Sequence, residues 1–168
     1  MLLTVAKIER IKNMTMKILE THRIWKPPVI AVKLAREYGF GVFTAGFGPS
    51  HADCVAGYID IADKKIIVNA DDSPEQQNFT VAHELGHYLL EHHLSEDFVK
   101  NYSVLLRNTC AGEAMPMELE ANVFADNLLV PAIFLREYRD KYPHATDREL
   151  ARVFGVSPEV ICYRRPFV

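Results

Sequence analysis

A histidine–glutamate–histidine group at residues 83–87 is the part of the sequence best suited to chemistry. The segment reads His83-Glu84-Leu85-Gly86-His87, which is an H-E-x-x-H pattern. On an α-helix, residues four apart lie on the same face, one turn from each other. Two imidazoles with this spacing can each give a ring nitrogen to one Zn²⁺ ion at about 2.0–2.1 Å. The spacing therefore predicts a zinc site held by His83 and His87.

Glu84 is suited to act as a general base beside that metal. It lies about 100° around the helix from His83, close enough to touch a bound water without binding the ion. Zinc brings the pKa of its water toward about 7, and a carboxylate can then take the proton. The resulting hydroxide attacks a peptide carbonyl, and Glu84 can pass the proton to the leaving amine. The pattern thus predicts a metal-dependent hydrolase that cleaves amide bonds.

The third protein ligand is not fixed by this motif, although a catalytic zinc usually has three. In one arrangement His93 completes the site with the spacing of the metzincins, which have glycine where Leu90 stands here. Leucine disfavours the sharp turn that this arrangement needs. In the other arrangement, a glutamate from the next long helix completes the site, with Glu113, Glu118 and Glu120 as candidates. Periodicity leaves the choice open, because Glu118 and Glu120 both flank the apolar stripe of that helix.

The helix that must position the motif has a well-defined start. Ser73 can be its N-cap, Pro74 occupies the first helical position, and Gln76 completes a capping box. We expect this helix to run to about His93. Unless His93 binds metal, His92 and His93 are expected at a solvated helix end, where imidazoles suit the helix dipole.

The rest of the sequence predicts six further helices and three short strands. The helices are expected at about 4–20, 28–38, 118–130, 132–141, 147–154 and 158–164. The strands are expected at 41–43, 54–61 and 65–69. This order predicts an α+β fold, a zincin-like single domain over residues 1–168 with a small three-stranded sheet surrounded by helices.

Composition narrows the functional classes further. The net charge of -3 gives no general attraction to nucleic acid or to an anionic membrane. The sequence has no apolar run of 18 residues, and its start is not a convincing signal peptide. Cys54, Cys110 and Cys162 are odd in number and far apart, so neither a disulfide framework nor a cysteine zinc site follows. We expect a cytoplasmic protein without a membrane partner.

Two segments together resemble the ImmA/IrrE family of metallopeptidases. They are FTVAHELGHYLLEH at 79–92 and ELEANVFADNLLVP at 118–131. The PPV at 27–29 and the LARVFGVSPEVICYRR tail at 150–165 are also similar to the family, and the resemblance spans about residues 4–165.

The resemblance implies a third zinc ligand and a class of substrate. The glutamate before Ala121 and Asn122 is the family's third ligand, and that residue is Glu120 here. At position 127, where the family commonly has another glutamate, this chain has Asn127, which is given no role. Similar proteins cleave or inactivate helix-turn-helix repressors, and are often encoded beside them on phages and integrative elements. The resemblance therefore implies a regulatory endopeptidase with one Zn²⁺ ion, although affinity order and availability leave other divalent metals open.

The C-terminal segment, at about 145–168, supports a rival function. Its pattern of two short helices around Gly155 is typical of a helix-turn-helix unit. The segment is locally basic through four arginines, at positions 148, 152, 164 and 165. The alternative is thus a DNA- or repressor-binding regulatory protein whose metal site has little catalytic activity. Nearby acidic residues dilute the charge, so we expect the unit to pack on the peptidase or grip the repressor rather than bind DNA.

Overall fold

The computed structural model of the chain describes residues 3–48, 55–94, 105–106 and 116–165. Within these ranges, seven α-helices surround a small sheet, so the predicted α+β class is confirmed. The helices are α1 (Val5–Thr21), α2 (Ala31–Glu37), α3 (Pro74–Leu89), α4 (Pro116–Leu129), α5 (Ala132–Lys141), α6 (Asp147–Phe154) and α7 (Pro158–Arg164). The strands are β1 (Gly41–Ala45), β2 (Val55–Asp60), β3 (Lys65–Asn69) and β4 (Leu105–Leu106).

The sheet has the strand order β1-β3-β2-β4. Strands β2 and β3 form the predicted antiparallel hairpin, and β1 pairs with β3 in parallel. The two-residue β4 adds a fourth strand beside β2, beyond the three that the sequence predicts. A parallel pair needs a crossover connection, and here the chain between β1 and β3 includes β2.

Helix α2 begins three residues later than the sequence pattern predicts. The side chain of Asn78, on α3, accepts a hydrogen bond from the Ala31 amide at 2.9 Å and donates one to the Val29 carbonyl at 3.0 Å. In a helix that began earlier, the Ala31 N–H and the Val29 carbonyl would form hydrogen bonds within the helix; here Asn78 satisfies both groups instead. The contact also fastens the segment before α2 to the helix that carries the H-E-x-x-H motif.

Helix α3 packs on the sheet where a glycine leaves room for it. A Cβ atom at Gly57 of β2 would lie 2.6 Å from Cγ2 of Thr80 and 2.5 Å from the carbonyl oxygen of Ile67. Real Cβ atoms do not come so close, so the helix and the strand can approach to this distance only with glycine at position 57. The fully buried Leu85 lies on the same helix, two residues before His87.

The two C-terminal helices belong to the same hydrophobic core as the rest of the chain. Thr146 and Glu149 form a capping box at the start of α6, and Gly155 ends α6 in the left-handed conformation with φ of 65°. Leu150, Phe154 and Ile161 are buried in the common core cluster. No helix in the described part of the chain is both long and apolar enough to cross a bilayer.

Candidate metal centre

Helix α3 presents the motif residues inside the protein. Its start carries the predicted capping box, in which Ser73 and Gln76 satisfy each other's backbone amides. The exposed fractions of His83, Glu84 and His87 are 0%, 2% and 3%. Buried imidazole and carboxylate groups need partners, since burial without compensation is costly. The two histidines and Glu84 are therefore part of a built site and not a solvated helix face.

The two imidazoles converge on one carboxylate. Nε2 of His83 lies 2.9 Å from Nε2 of His87. The two carboxylate oxygens of Glu118, on α4, lie 3.2 Å from Nε2 of His83 and 3.4 Å from Nε2 of His87. One possible metal-binding atom from each of the three residues lies within 4.8 Å of the other two. Two imidazole nitrogens and one carboxylate oxygen form a common donor set for a catalytic zinc.

The glutamate in this group is Glu118, whereas the family resemblance led us to expect Glu120. The physical reason is the helical period of α4. Asn122 faces His83, with its Oδ1 2.9 Å from Nδ1 of His83, and Glu118 is one turn away on the same face. Glu120 is two residues from both and points elsewhere, where its carboxylate contacts Lys7 and His92. Sequence periodicity had named Glu118 as a candidate without choosing it.

His93, the metzincin candidate for the third ligand, does not join this group. His93 packs its ring on Tyr88, with ring centroids 5.5 Å apart and an interplanar angle of 18°. The chain turns back after α3 at Glu91, whose φ is 61°, and Leu90 itself keeps a negative φ. Glu113 lies outside the described residues. The metzincin arrangement is therefore not formed by the described chain.

His92 is a residue of the site that sequence reasoning missed. We expected it at a solvated helix end, but its exposed fraction is 6%. The turn at Glu91 leads into a short 3-10 helix, His92–Leu94, which directs His92 back toward α3. Its Nδ1 lies 2.9 Å from Nδ1 of His87. No spacing rule for a regular helix indicates this contact, because it depends on the left-handed residue between the two histidines.

Glu84 is buried beside the ligand group with an oxygen that lacks a protein partner. Its Oε1 has no hydrogen-bond partner among the described residues. Burial raises the pKa of Glu84 to about 8, although the positive charge of His83 acts in the opposite direction and lowers this pKa. The backbone amide of Ile59, on β2, also lowers this pKa through a hydrogen bond. A buried carboxylate with an unused oxygen fits a site that receives a water molecule or a cation.

The ionisable groups of the cluster shift one another's pKa values. Burial raises the pKa of Glu118, but hydrogen bonds with His83 and His87 outweigh it and hold that pKa well below its ordinary value. Burial lowers the pKa of His83, but Glu118 and Glu84 raise it by more, so the net shift is upward. Burial lowers the pKa of His87 to about 4 despite the hydrogen bond with Glu118. The cluster therefore favours a neutral His87 and an ionised Glu118, the forms that bind metal.

A buried arginine on α7 connects the C-terminal helices to the residue that follows α4. Arg164 is 2% exposed, and its Nε donates a hydrogen bond to the Val130 carbonyl at 3.1 Å. Burial raises the pKa of Asp126 to about 7, while the charges of Arg164 and His83 lower it. The four arginines of the C-terminal segment predict a basic surface there, but Arg164 is buried and Arg165 pairs with Asp147.

Comparison with known proteins places these features in a family. Residues 27–165 match the model of the peptidase M78 family, described as the IrrE N-terminal-like domain. The chain is 28% identical over 105 residues to metallopeptidase ImmA of Bacillus subtilis (strain 168), which covers 62% of this chain and 58% of the relative. A solved Mycobacterium tuberculosis transcriptional regulator shares the fold, with a TM-score of 0.64 and 21% identity.

The matched lengths also limit what can be carried over. The structural alignment covers 93% of this chain but 46% of the regulator. The chain thus spans about half the length of the known proteins it matches. The family match itself includes both the H-E-x-x-H helix and the helix that carries Glu118, together with the C-terminal helices. The chain therefore belongs to the ImmA/IrrE family of metallopeptidases.

Proposed function

We propose that this chain is a zinc-dependent endopeptidase with a regulatory role. In this proposal His83, His87 and Glu118 hold the metal, and Glu84 is the general base. The observation that carries it is the convergence of two Nε2 atoms and one carboxylate within 4.8 Å. Glu118 takes the place that the family resemblance assigned to Glu120.

The donor set and its surroundings favour zinc over harder cations. Imidazole nitrogen with a single carboxylate suits Zn²⁺, while Mg²⁺ and Ca²⁺ prefer sites built from oxygen ligands. His83 and His87 are buried, and the side chain of Glu118 is 22% exposed. In this proposal a substrate approaches the metal from the partly exposed side of Glu118. The buried, unused oxygen of Glu84 fits a site completed by a cation and water.

Glu84 would move the proton of the reaction. A zinc ion at this site supplies a Lewis acid that polarises the scissile carbonyl and makes water a nucleophile near neutral pH. Oε1 of Glu84 is free of protein hydrogen bonds within the described chain. The charge of a bound zinc ion would lower the pKa of Glu84 from about 8, so that the ionised oxygen could accept the proton of the attacking water. The same oxygen then donates that proton to the leaving amine nitrogen. The Ile59 amide holds the carboxylate during both transfers.

The substrate in this proposal is a helix-turn-helix repressor in the cytoplasm. The support is the resemblance to a family whose members act on such repressors, as well as a structural neighbour described as a transcriptional regulator. The C-terminal helices α6 and α7, the helix-turn-helix-like unit at about 145–168, would contact the repressor rather than DNA. Arg164 is buried and Arg165 pairs with Asp147, so half of the arginines expected there are engaged within the protein.

Cleavage of a repressor tests the proposal directly. The purified chain loaded with Zn²⁺ is mixed with candidate helix-turn-helix repressors, beginning with any that is encoded beside its gene, and the fragments are identified by mass spectrometry. We expect one cleavage site with the wild type, none with Glu84→Gln, and none after removal of the metal with a chelator. Glu75→Gln is the matched control, because Glu75 is an exposed glutamate in the first turn of the same helix.

Two outcomes would contradict the proposal. Cleavage by Glu84→Gln at the wild-type rate would show that Glu84 is not the base. Repressor binding that relieves repression equally in wild type and Glu84→Gln would favour the alternative, a binding protein with a metal site of little catalytic activity. Metal analysis of the purified protein adds an independent measurement, in which we expect about one zinc ion per chain.

A further inference from the structure

We infer that Lys7, Glu120 and His92 form a hydrogen-bonded relay that fixes the orientation and tautomer of His87, so that its Nε2 faces the metal. His92 is thus a positioning residue. The inference rests on the proposed metal site. It gives a role to Glu120, which the structure places outside the ligand group, and to α1, which precedes the segment matched by the family model.

The relay begins at the ion pair between α1 and α4. Nζ of Lys7 contacts Oε1 of Glu120, and the side chain of Glu120 is 15% exposed. The ammonium group of Lys7 has only hydrogens to donate, so the carboxylate of Glu120 accepts this hydrogen bond and is the acceptor at the end of the chain of contacts.

Because the Glu120 carboxylate can only accept hydrogen bonds, it determines which ring nitrogens of His92 and His87 carry protons. Oε2 of Glu120 lies 3.4 Å from Nε2 of His92, so this nitrogen carries a proton and donates a hydrogen bond to the carboxylate. In a neutral imidazole the other nitrogen is then an acceptor. Nδ1 of His92 lies 2.9 Å from Nδ1 of His87, so His87 must donate from Nδ1. The lone pair of His87 is consequently on Nε2, the nitrogen that faces Glu118 and His83.

His83, the other proposed ligand histidine, is oriented by a single hydrogen-bond partner. Nδ1 of His83 lies 2.9 Å from Oδ1 of Asn122, and an amide oxygen can only accept. His83 therefore also presents Nε2 to the site. Partners of this kind orient metal-binding histidines and usually matter about 10–100-fold in metal affinity. The difference is that Nδ1 of His83 is supported directly by one side chain, Asn122, whereas Nδ1 of His87 is supported by His92, which in turn contacts Glu120.

A purely packing role for His92 makes the opposite prediction about substitutions. If His92 only fills buried space, then His92→Phe should be tolerated, because phenylalanine keeps an aromatic ring there. His92→Asn should then be damaging, because it removes most of that ring. If His92 acts as an acceptor for Nδ1 of His87, the order is reversed. Asparagine places an amide oxygen near the position of the imidazole Nδ1, and phenylalanine has no acceptor.

Zinc affinity, measured by competition with a chromogenic chelator, separates the two roles. We expect His92→Phe to weaken Zn²⁺ binding about 10–100-fold and His92→Asn to weaken it less than His92→Phe. His93→Phe is the matched control: it changes the adjacent histidine, whose ring stacks on Tyr88, and should leave affinity within about 3-fold of wild type. Thermal unfolding of the metal-free proteins establishes that each variant is folded.

A measurement without metal separates this inference from the proposed function. Nitrogen-15 NMR of the His87 ring in the metal-free wild type should show the tautomer with the proton on Nδ1, and His92→Phe should give a mixture of tautomers. Unchanged zinc affinity and an unchanged tautomer in folded His92→Phe would overturn the relay and leave the metal site intact. The wild-type protein could instead bind no zinc although Nδ1 of His87 is protonated. That result would overturn the proposed function, and the relay would then have no metal ligand to orient.

Discussion

The two faces of α4 are built from similar residues and are placed in different surroundings. On one face, Glu118 and Asn122 meet the imidazoles of α3. On the other, Glu120 meets Lys7 of α1 and His92 of the 3-10 helix. Glu118 contacts two buried histidines, while Glu120 forms an ion pair with a lysine whose side chain is 53% exposed. Two glutamates with one residue between them therefore have different roles because of what each face contacts.

A short motif therefore does not identify a metal ligand on its own. Either glutamate in the sequence Glu118-Leu119-Glu120 could ligate a metal on chemical grounds alone. The choice is made by the rotation of α4 about its own axis, since residues two apart point about 200° from each other. That rotation is fixed by packing between α4 and α3. The predictions below test the contrast between the two faces, beginning with the largest expected effect.

Removal of the Glu118 carboxylate should damage metal binding far more than removal of the Glu120 carboxylate. We expect Glu118→Ala to weaken Zn²⁺ binding by more than about 100-fold, because it removes a ligand and not only a supporting hydrogen bond. Glu120→Ala should cost less than Glu118→Ala, because it acts only through His92. Chelator competition on both variants measures the ratio. An equal loss in the two variants, or a larger loss in Glu120→Ala, would reverse our assignment of the third ligand.

Loss of the Asn122 amide should have an intermediate effect on the same face. Asn122→Ala leaves Nδ1 of His83 without its acceptor, and we expect about 10–100-fold weaker zinc binding. Asn122→Asp keeps an oxygen at the same place and should retain more of the affinity than Asn122→Ala. If alanine and aspartate variants bind zinc equally well, the contact at 2.9 Å does not orient His83.

An added methyl group at Gly86 should disturb the contact between the motif helix and the Glu118 face. A Cβ atom at Gly86 would lie 2.9 Å from Cδ1 of the fully buried Phe124, on α4. Overpacking of this kind costs about 1–3 kcal/mol, and it opposes the roughly 1 kcal/mol that alanine gains over glycine in a helix. We therefore expect Gly86→Ala to lower the free energy of unfolding in urea.

Gly46→Ala is the control for that measurement. A Cβ atom at Gly46 meets nothing within 4 Å, and the residue is exposed. Its unfolding free energy should stay within about 0.5 kcal/mol of wild type. A stabilised Gly86→Ala protein with unchanged zinc affinity would indicate that the distance between α3 and α4 can adjust without consequence for the site.

The smallest effect is expected at the solvent end of the Glu120 face. Lys7→Met removes the ion pair with Glu120, but exposed pairs contribute only about 0–1 kcal/mol. We expect a change of this size in the unfolding free energy, and the change should shrink further when wild type and variant are compared at high salt. A loss of several kcal/mol would mean that Lys7 is an essential part of the site.

The sequence predicted the parts of the fold that local chemistry dictates. The capping box of Ser73 and Gln76 and the hairpin of β2 and β3 are short-range features, and the structure has them where the patterns indicated. The four-residue spacing of His83 and His87 likewise predicts one face of one helix, because the helical period is fixed by the backbone. The reversal of the chain at Glu91 could not be predicted in this way. A non-glycine residue rarely adopts the left-handed conformation, and whether it does so depends on its surroundings in the fold.

The pattern of residues predicts that two histidines and a glutamate stand together on α3, and that a carboxylate from a later helix can complete the group. Which carboxylate lies there, and the return of His92 to His87, depend on how the elements pack. A helix fixes the relative directions of its own side chains, but its rotation against a neighbouring helix is set by the contact between them. Packing at Gly86 and Phe124 fixes that rotation, and no pattern within either helix contains it.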